Sequence, residues 1–332
     1  MKFGLDKCAK VTIEKGKPIQ KQNIILNDNS EIQSLDNGSI YKYLGIEENS
    51  EIENKVMKEK VSKQYCSRVR QILKSHLSGY NKITAITEFA HPVLNYSFGI
   101  LTWNESELRS LDTKTRKLLT MHSMLVHRVV PKADVHRLYV PRRRGGRGLM
   151  NIEQSHKLTM IGLAEYLNSK VEDSMMRIVQ KYETEVDNTK TIVNKGKKYL
   201  SEQRNINVTN INQNLIATKR AKAVKTKCKI NMIHTNEETW TQKAMHGQYG
   251  REMRQENVNF DKTCKWLYQG LIKGETESLI IAAQDQAITT NYIKKKIHKQ
   301  DVDPKCRLCK QYNETNSPYH IGLSSPCTEK IH

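Results

Sequence analysis

The chain is 332 residues long and carries 55 Lys and Arg against 35 Asp and Glu, a formal net charge of +20. An excess of that size favours polyanionic partners, because each phosphate neutralised releases condensed counterions. Seven cysteines, a sparse and odd count, exclude a disulfide-stapled secreted domain, and the longest apolar run, Leu279 to Ala283, excludes a spanning helix of ~20 apolar residues. The stretch after Met1 has no apolar run of the signal-peptide kind, so the expectation is a nuclear or cytoplasmic protein with no membrane partner.

In chain order, the first segment predicts strands at Lys10–Glu14, ended by the turn Gly16-Lys17-Pro18, then at Asn23–Leu26 and Ile40–Ile46. Three short strands of mixed pattern do not make a domain alone. From Ile52 the period changes. Ile52, Val56, Val61, Tyr65, Val69, Leu73 and Leu77 recur at mostly four-residue intervals, one face of a helix that Gly79 stops, with Lys55, Lys58, Lys63, Arg70 and Lys74 opposite. A second helix holds Ile83 to Leu101 and is kinked or split by Pro92. A third starts at Asn104, with Glu107 at the capping-box position and Trp103 placed to staple onto Leu108. Its buried stripe is Leu108, Leu111, Leu118 and Leu119, and Lys114, Arg116 and Lys117 stay solvated.

His136–Val140 predicts a short strand ended by Pro141. The run Arg142-Arg143-Arg144-Gly145-Gly146-Arg147 offers no core residue and predicts an exposed, mobile loop. Its arginines are then candidates to wrap a phosphate backbone; the alternative is a solvated charge run. Another helix opens at Asn151 and runs to about Leu167. The Asn-rich QRNINVTNINQN segment predicts a linker, and Lys219–Lys229 is densely basic, either an import signal or a solvated helix face. Glu275–Ile297 predicts one long helix with Leu279, Ile280, Ala283, Ala287 and Ile293 inward.

No HExxH, GxSxG, P-loop or GxGxxG motif is present. No enzyme class or small-molecule substrate is therefore indicated, and His91, His122, His127 and His136 are expected to be surface or packed histidines. Cys306 and Cys309 form a CxxC, followed by His320 and Cys327. Four such ligands suit a tetrahedral structural zinc. The competing interpretation is unpaired thiols in a frayed terminus, and His332 could replace the fourth ligand.

Several segments, in order, resemble the reverse transcriptases of non-LTR (LINE-type) retrotransposons. MKFGLDKCAK is similar to the stretch after that family's catalytic aspartate pair, and Tyr41-Lys42-Tyr43-Leu44-Gly45-Ile46 to its primer grip. HPVLNYSFGILTW, LRSLDTKTRKLLTMH and ADVHRLYVPRRRGGRGL resemble the thumb and the segment after it; ETESLIIAAQDQAITTNYIKKKI resembles the helix before the Cys-Cys-His-Cys knuckle, whose gaps are shorter than those here. Residues 170–270 match only weakly.

The resemblance implies a mostly α chain. It would consist of a palm remnant with the primer grip (1–50), a thumb and basic loop (51–150), a helical connector (151–270), and a long helix with a CCHC zinc knuckle (271–332). It implies RNA or DNA as partner, with Tyr43, Leu44 and Gly45 near a primer end and Lys114, Arg116, Lys117, Arg142, Arg143, Arg144 and Arg147 on the backbone. No two aspartates adjoin in this chain, whereas two-metal nucleotide transfer needs paired carboxylates. The expectation is a fragment that is not an enzyme on its own; the alternative is a domesticated, non-enzymatic RNA/DNA-binding module with a structural zinc.

Overall fold

The computed structural model describes residues 8–314, apart from residues 16, 20, 28, 36–39, 49–51, 126–133, 171–172, 186–190, 204–214 and 308–309. The chain is mostly helical, with its few strands at the N-terminal end. The expected palm stretch before residue 8, most of the Asn-rich linker, and the positions of Cys309, His320, Cys327 and His332 lie outside the described residues.

The strands are β1 (Ala9–Lys10), β2 (Thr12–Glu14), β3 (Lys17–Ile19), β4 (Ile24–Ile25), β5 (Glu31–Ser34), β6 (Tyr41–Tyr43) and β7 (Ile46–Glu48). β5 pairs parallel with β1 and antiparallel with β4, while β2–β3 and β6–β7 are separate hairpins. Lys17 and Pro18, expected in a turn, lie in β3, where a two-stranded ribbon tolerates the missing N–H of proline. The single strand expected over Ile40–Ile46 is instead broken at Leu44 (φ 47°) and Gly45 (φ 88°), and Tyr43 faces Ile46 across a two-residue turn. Positive φ at both turn residues matches the twist of the flanking strands. Ile13 and Ile25 are exposed, and among the described strand residues only Ile46 joins the core.

α1 (Asn54–Lys74) buries Met57, Val61, Tyr65, Val69 and Leu73, one residue per turn. It ends before Gly79, which opens α2 (Gly79–Ala85) rather than stopping α1. The Gly79 N–H donates to Ile272 O at 3.0 Å, and a Cβ there would come within 2.5 Å of a Glu277 carboxylate oxygen. A π-helical turn, Ile86–Ala90, precedes α3 (His91–Phe98), with Pro92 in its first turn. The widened turn accommodates a ring that would clash with a regular helix. α4 (Glu105–Met121) carries both halves of the Asn104/Glu107 capping box, and Trp103 and Leu108 are buried in the same cluster.

Residues His136–Val140 do not form the expected strand. α5 (Val135–Tyr139) is a short helix whose cap, Asp134, accepts from His136 N and Arg137 N at 2.7 and 3.2 Å. α6 (Ile152–Ser169) starts where predicted, with Asn151 Oδ1 accepting from Gln154 N at 2.9 Å. There follow α7 (Ser174–Glu185), α8 (Ile192–Ser201), α9 (Ala217–Thr241), α10 (Gln248–Glu252) and α11 (Phe260–Tyr268). The predicted Glu275–Ile297 helix is two: α12 (Gly274–Gln284) and α13 (Asn291–Lys296). Asp285 is drawn into the interior and Gln286 takes φ 53°, which ends α12. Leu279, expected inward, is exposed, whereas Ser278, Ile281 and Ala282 are buried.

Three apolar clusters hold these elements. The largest joins Ile46 with α1 to α4 and with Leu138, Tyr139, Leu149 and Ile152; a second lies between α6, α8 and α9; a third gathers Val140, Trp240, Met253 and Cys264. Among the described residues, no helix is long and apolar enough to cross a membrane.

Candidate nucleic-acid interface

The arginine run does not form the exposed, mobile loop expected from its composition. After Pro141 it makes a 3-10 turn, Arg142–Arg144, and reverses at Gly145 (φ 85°). Gly148 N then donates to Val140 O at 2.8 Å and Leu149 N to Leu138 O at 3.0 Å. A Cβ on Gly146 would collide with the Val140 carbonyl, so only glycine fits there. This fold-back turns two arginines inward, leaving Arg142 7% and Arg147 2% exposed.

One carboxylate receives both. Arg142 Nη1 and Nη2 donate to the two Glu277 oxygens at 2.9 and 3.0 Å, and Arg147 Nε donates to Glu277 Oε1 at 2.9 Å. Arg142 also donates to Leu267 O at 2.7 Å, and Arg147 to Met124 O. Beside them Arg137 donates to Gly145 O at 3.0 Å and to Gln284 Oε1 at 2.6 Å, pairs with buried Asp285 at 2.5 Å, and lies 4.8 Å from the Trp240 ring. Burial is the first influence on Asp285 and pushes its carboxyl up, against the pull of Arg137. Arg144 pairs with Glu237 at 2.8 Å. Of the four arginines of this run, Arg143 alone is exposed without a carboxylate partner among the described residues; its guanidinium lies 5.7 Å from the Tyr268 ring.

Arg116 is likewise committed. It donates to Asp112, to Tyr139 OH at 2.7 Å and to Thr113 Oγ1 at 2.9 Å, and Tyr139 OH donates to the same Asp112. Burial raises both Asp112 and Tyr139. This cluster links α4 to α5.

One set of cations left for a ligand lies on α1 and α4. Lys58 Nζ reaches Glu107 at 2.8 Å, and Tyr65 OH and Thr115 Oγ1 are 3.1 Å apart, so the two helices run parallel in near-constant register. Further along, Arg70 of α1 and Lys114 of α4 both act on the buried Cys66 thiol, opposing the upward push of burial. The basic faces of the two helices therefore adjoin. Lys63, Arg70, Lys74, Lys114 and Lys117 are exposed there, and none has a carboxylate partner among the described residues. Lys63, Arg70 and Lys74 belong to the solvated stripe visible in the sequence; that Lys114 meets them depends on the register of two helices.

At the N-terminal end of α1 stands the β6–β7 hairpin. Lys60 pairs with Glu47, and Tyr96 OH of α3 donates to the Leu44 carbonyl at 2.6 Å. Tyr43 and Leu44 are 57% and 71% exposed, and Gly45 is exposed. Nothing in the sequence marks Tyr96 as the anchor.

At the other end, Cys306 is buried in a tight reversal. Its N–H donates to Tyr312 O at 2.7 Å, its carbonyl accepts from Lys310 N at 2.8 Å, and Lys305 and Asn313 bridge. Glu314 ties this turn to α13, accepting from Asn291 N at 3.0 Å and from Arg307. Among the described residues, no three His, Cys, Asp or Glu side chains are gathered as a metal site. The comparisons with family models and with curated proteins find no match for this chain.

Proposed function

We propose that this chain is the nucleic-acid-binding C-terminal part of a LINE-type retrotransposon reverse transcriptase. Residues 8–48 are the end of a palm, α1 to α4 a thumb, and α6 to α11 a connector. The observation that carries the reading is the joined basic face of parallel α1 and α4, at one end of which stands a hairpin with an exposed Tyr43–Leu44–Gly45 tip. Five cations without carboxylate partners suit a phosphate backbone, which is bound through charge and not through base sequence. In this reading the chain grips a template–primer or target duplex and joins no nucleotides itself.

Replacing Lys63, Lys114 and Lys117 together with Gln is expected to weaken binding to a short duplex. It should also make the salt dependence shallower by about one for each lysine that meets a phosphate. The melting temperature should not move, because no ion pair is lost. Unchanged affinity and slope would overturn the reading.

The same reading places a structural zinc at Cys306, Cys309, His320 and Cys327. A buried cysteine at a tight backbone reversal is the observation that supports it. Elemental analysis should find one zinc per chain, lost in a Cys306→Ser/Cys309→Ser variant; a metal-free, equally stable protein would rule the zinc out.

A further inference from the structure

Helix α9 presents a second cationic face, which the thumb reading does not use. From Ala217 to Asn236 the sequence holds Lys219, Arg220, Lys222, Lys225, Lys227 and Lys229 and no acid. Arg220 is committed, donating to Glu165 at 2.5 Å. The five lysines are exposed, and none forms an ion pair among the described residues. The opposite face of the helix is apolar and buried: Ala217, Ala221, Val224, Cys228 and Met232.

Lys222, Lys225 and Lys229 stand three and four residues apart and so share one flank. The Lys225 stem lies along α6, its Cδ 3.6 Å from where a Gly162 Cβ would be. Burial first, and then the charge of Lys229, push the Lys225 ammonium below its ordinary range. Like charges one turn apart destabilise a helix slightly unless a counter-charge joins them.

We propose that the Lys222–Lys225–Lys229 flank of α9 is a docking surface for the sugar–phosphate backbone of a nucleic-acid duplex. The inference rests on the reading of the chain as a nucleic-acid-binding protein but concerns a surface separate from α1 and α4. The lysines are spaced about 4.5 and 6 Å along the axis, comparable with one to two nucleotide rises of ~3.4 Å along a strand. Single strands are held by stacking on aromatic rings, and α9 has no Phe, Tyr or Trp from Ala217 to Asn236. A membrane surface takes up an amphipathic helix through its apolar face, and that of α9 is already inside the protein. A receptor reading this run as an extended import peptide would have to strip Val224 and Cys228, both fully buried, from the core. Ammonium groups reading phosphates make the contact independent of sequence.

The test uses the full chain, a short mixed-sequence DNA duplex and a salt series. Lys222→Gln/Lys225→Gln/Lys229→Gln is expected to weaken binding roughly tenfold and to make the salt slope shallower by about three. Melting temperature reports whether the variant is folded, and Lys222→Gln/Lys229→Gln, which spares the lysine whose stem packs on α6, replaces it if it is not. If the α9 variant binds like wild type while the α1/α4 variant is weakened, the inference falls and the thumb reading stands. If neither variant is weakened, both fall. Loss confined to a single-stranded oligonucleotide, or to phosphatidylserine vesicles, would also overturn the duplex assignment. Losses that add when the two sets are combined would establish two surfaces.

Discussion

Glu277→Ala is expected to cost most of the stability of this protein. The substitution removes one carboxylate and leaves two guanidinium groups, Arg142 and Arg147, buried without a counter-charge. Breaking one buried ion pair costs about 3–5 kcal/mol, against a total of about 5–15 kcal/mol for an ordinary domain. Removing the charge and replacing it are different experiments, because much of that cost belongs to the stranded cations. Substituting all three residues by apolar ones of similar size (Glu277→Leu with Arg142→Met and Arg147→Met) should therefore recover a large part of the loss. Urea unfolding of the single and triple variants measures both effects. A Glu277→Ala midpoint close to wild type would show that these arginines find water or another partner. The same geometry changes what neutralising them would mean for binding: Arg142→Gln or Arg147→Gln should lower affinity by unfolding the protein, with no change in salt slope per folded molecule.

Acid should destabilise the fold well above the carboxylate range, through two histidines. His91 and His156 are buried, and burial pulls each down from an ordinary value of 6.5 to about 4. His91 meets the Met150 carbonyl at 3.2 Å, while His156 stands edge-on to Phe98 and Tyr199 with the charges of Lys195 and Lys157 adding to the downward shift. Both are neutral in the fold and protonated in the unfolded chain between about pH 4 and 6.5, so the unfolded state binds more protons there. Stability is complete above about pH 6.5 and falls with pH down to about 4, by on the order of 3 kcal/mol for each histidine. Asp112 and Asp285, raised by burial, act in the opposite sense. The decisive comparison is therefore with His156→Phe, which keeps a ring against Phe98 and Tyr199. That variant should lose about one of the two protons taken up on unfolding near pH 5. An unaltered pH dependence would mean that His156 is not held neutral.

The sequence signals that worked are local ones. Asn104 with Glu107, and Asn151 by itself, sit within one turn of the N–H groups they satisfy, so each fixed a helix start without reference to the rest of the chain. The four-residue spacing of α1 likewise reports its buried face from Val61 to Leu73, whereas Val56 and Leu77, expected on that face, are exposed and Met57 is buried. The failures occur where a distant partner decides. Nothing near Arg142 or Arg147 announces Glu277, and a glycine-spaced arginine run reads as a solvated loop until that carboxylate is delivered to it. Helix periodicity continued through Asp285 in the sequence, yet Arg137 withdraws that side chain and ends α12. The α5 segment alternates like a strand but is capped by Asp134 and buries Arg137, Leu138 and Tyr139 together. In the candidate interface, the lysines of α1 and α4 were legible one helix at a time. Their meeting followed only from the parallel register at Lys58–Glu107 and Tyr65–Thr115.

The sharing of Glu277 between two arginines also sets an order of events during synthesis. Arg142 and its carboxylate are 135 residues apart in sequence, and a ribosome adding ~5–20 residues per second needs on the order of ten seconds to bridge that gap. Through that interval the nascent bundle of α1 to α6 has its arginine pocket open to solvent. It closes only when α12 emerges, so this pocket waits on the arrival of a single acidic side chain.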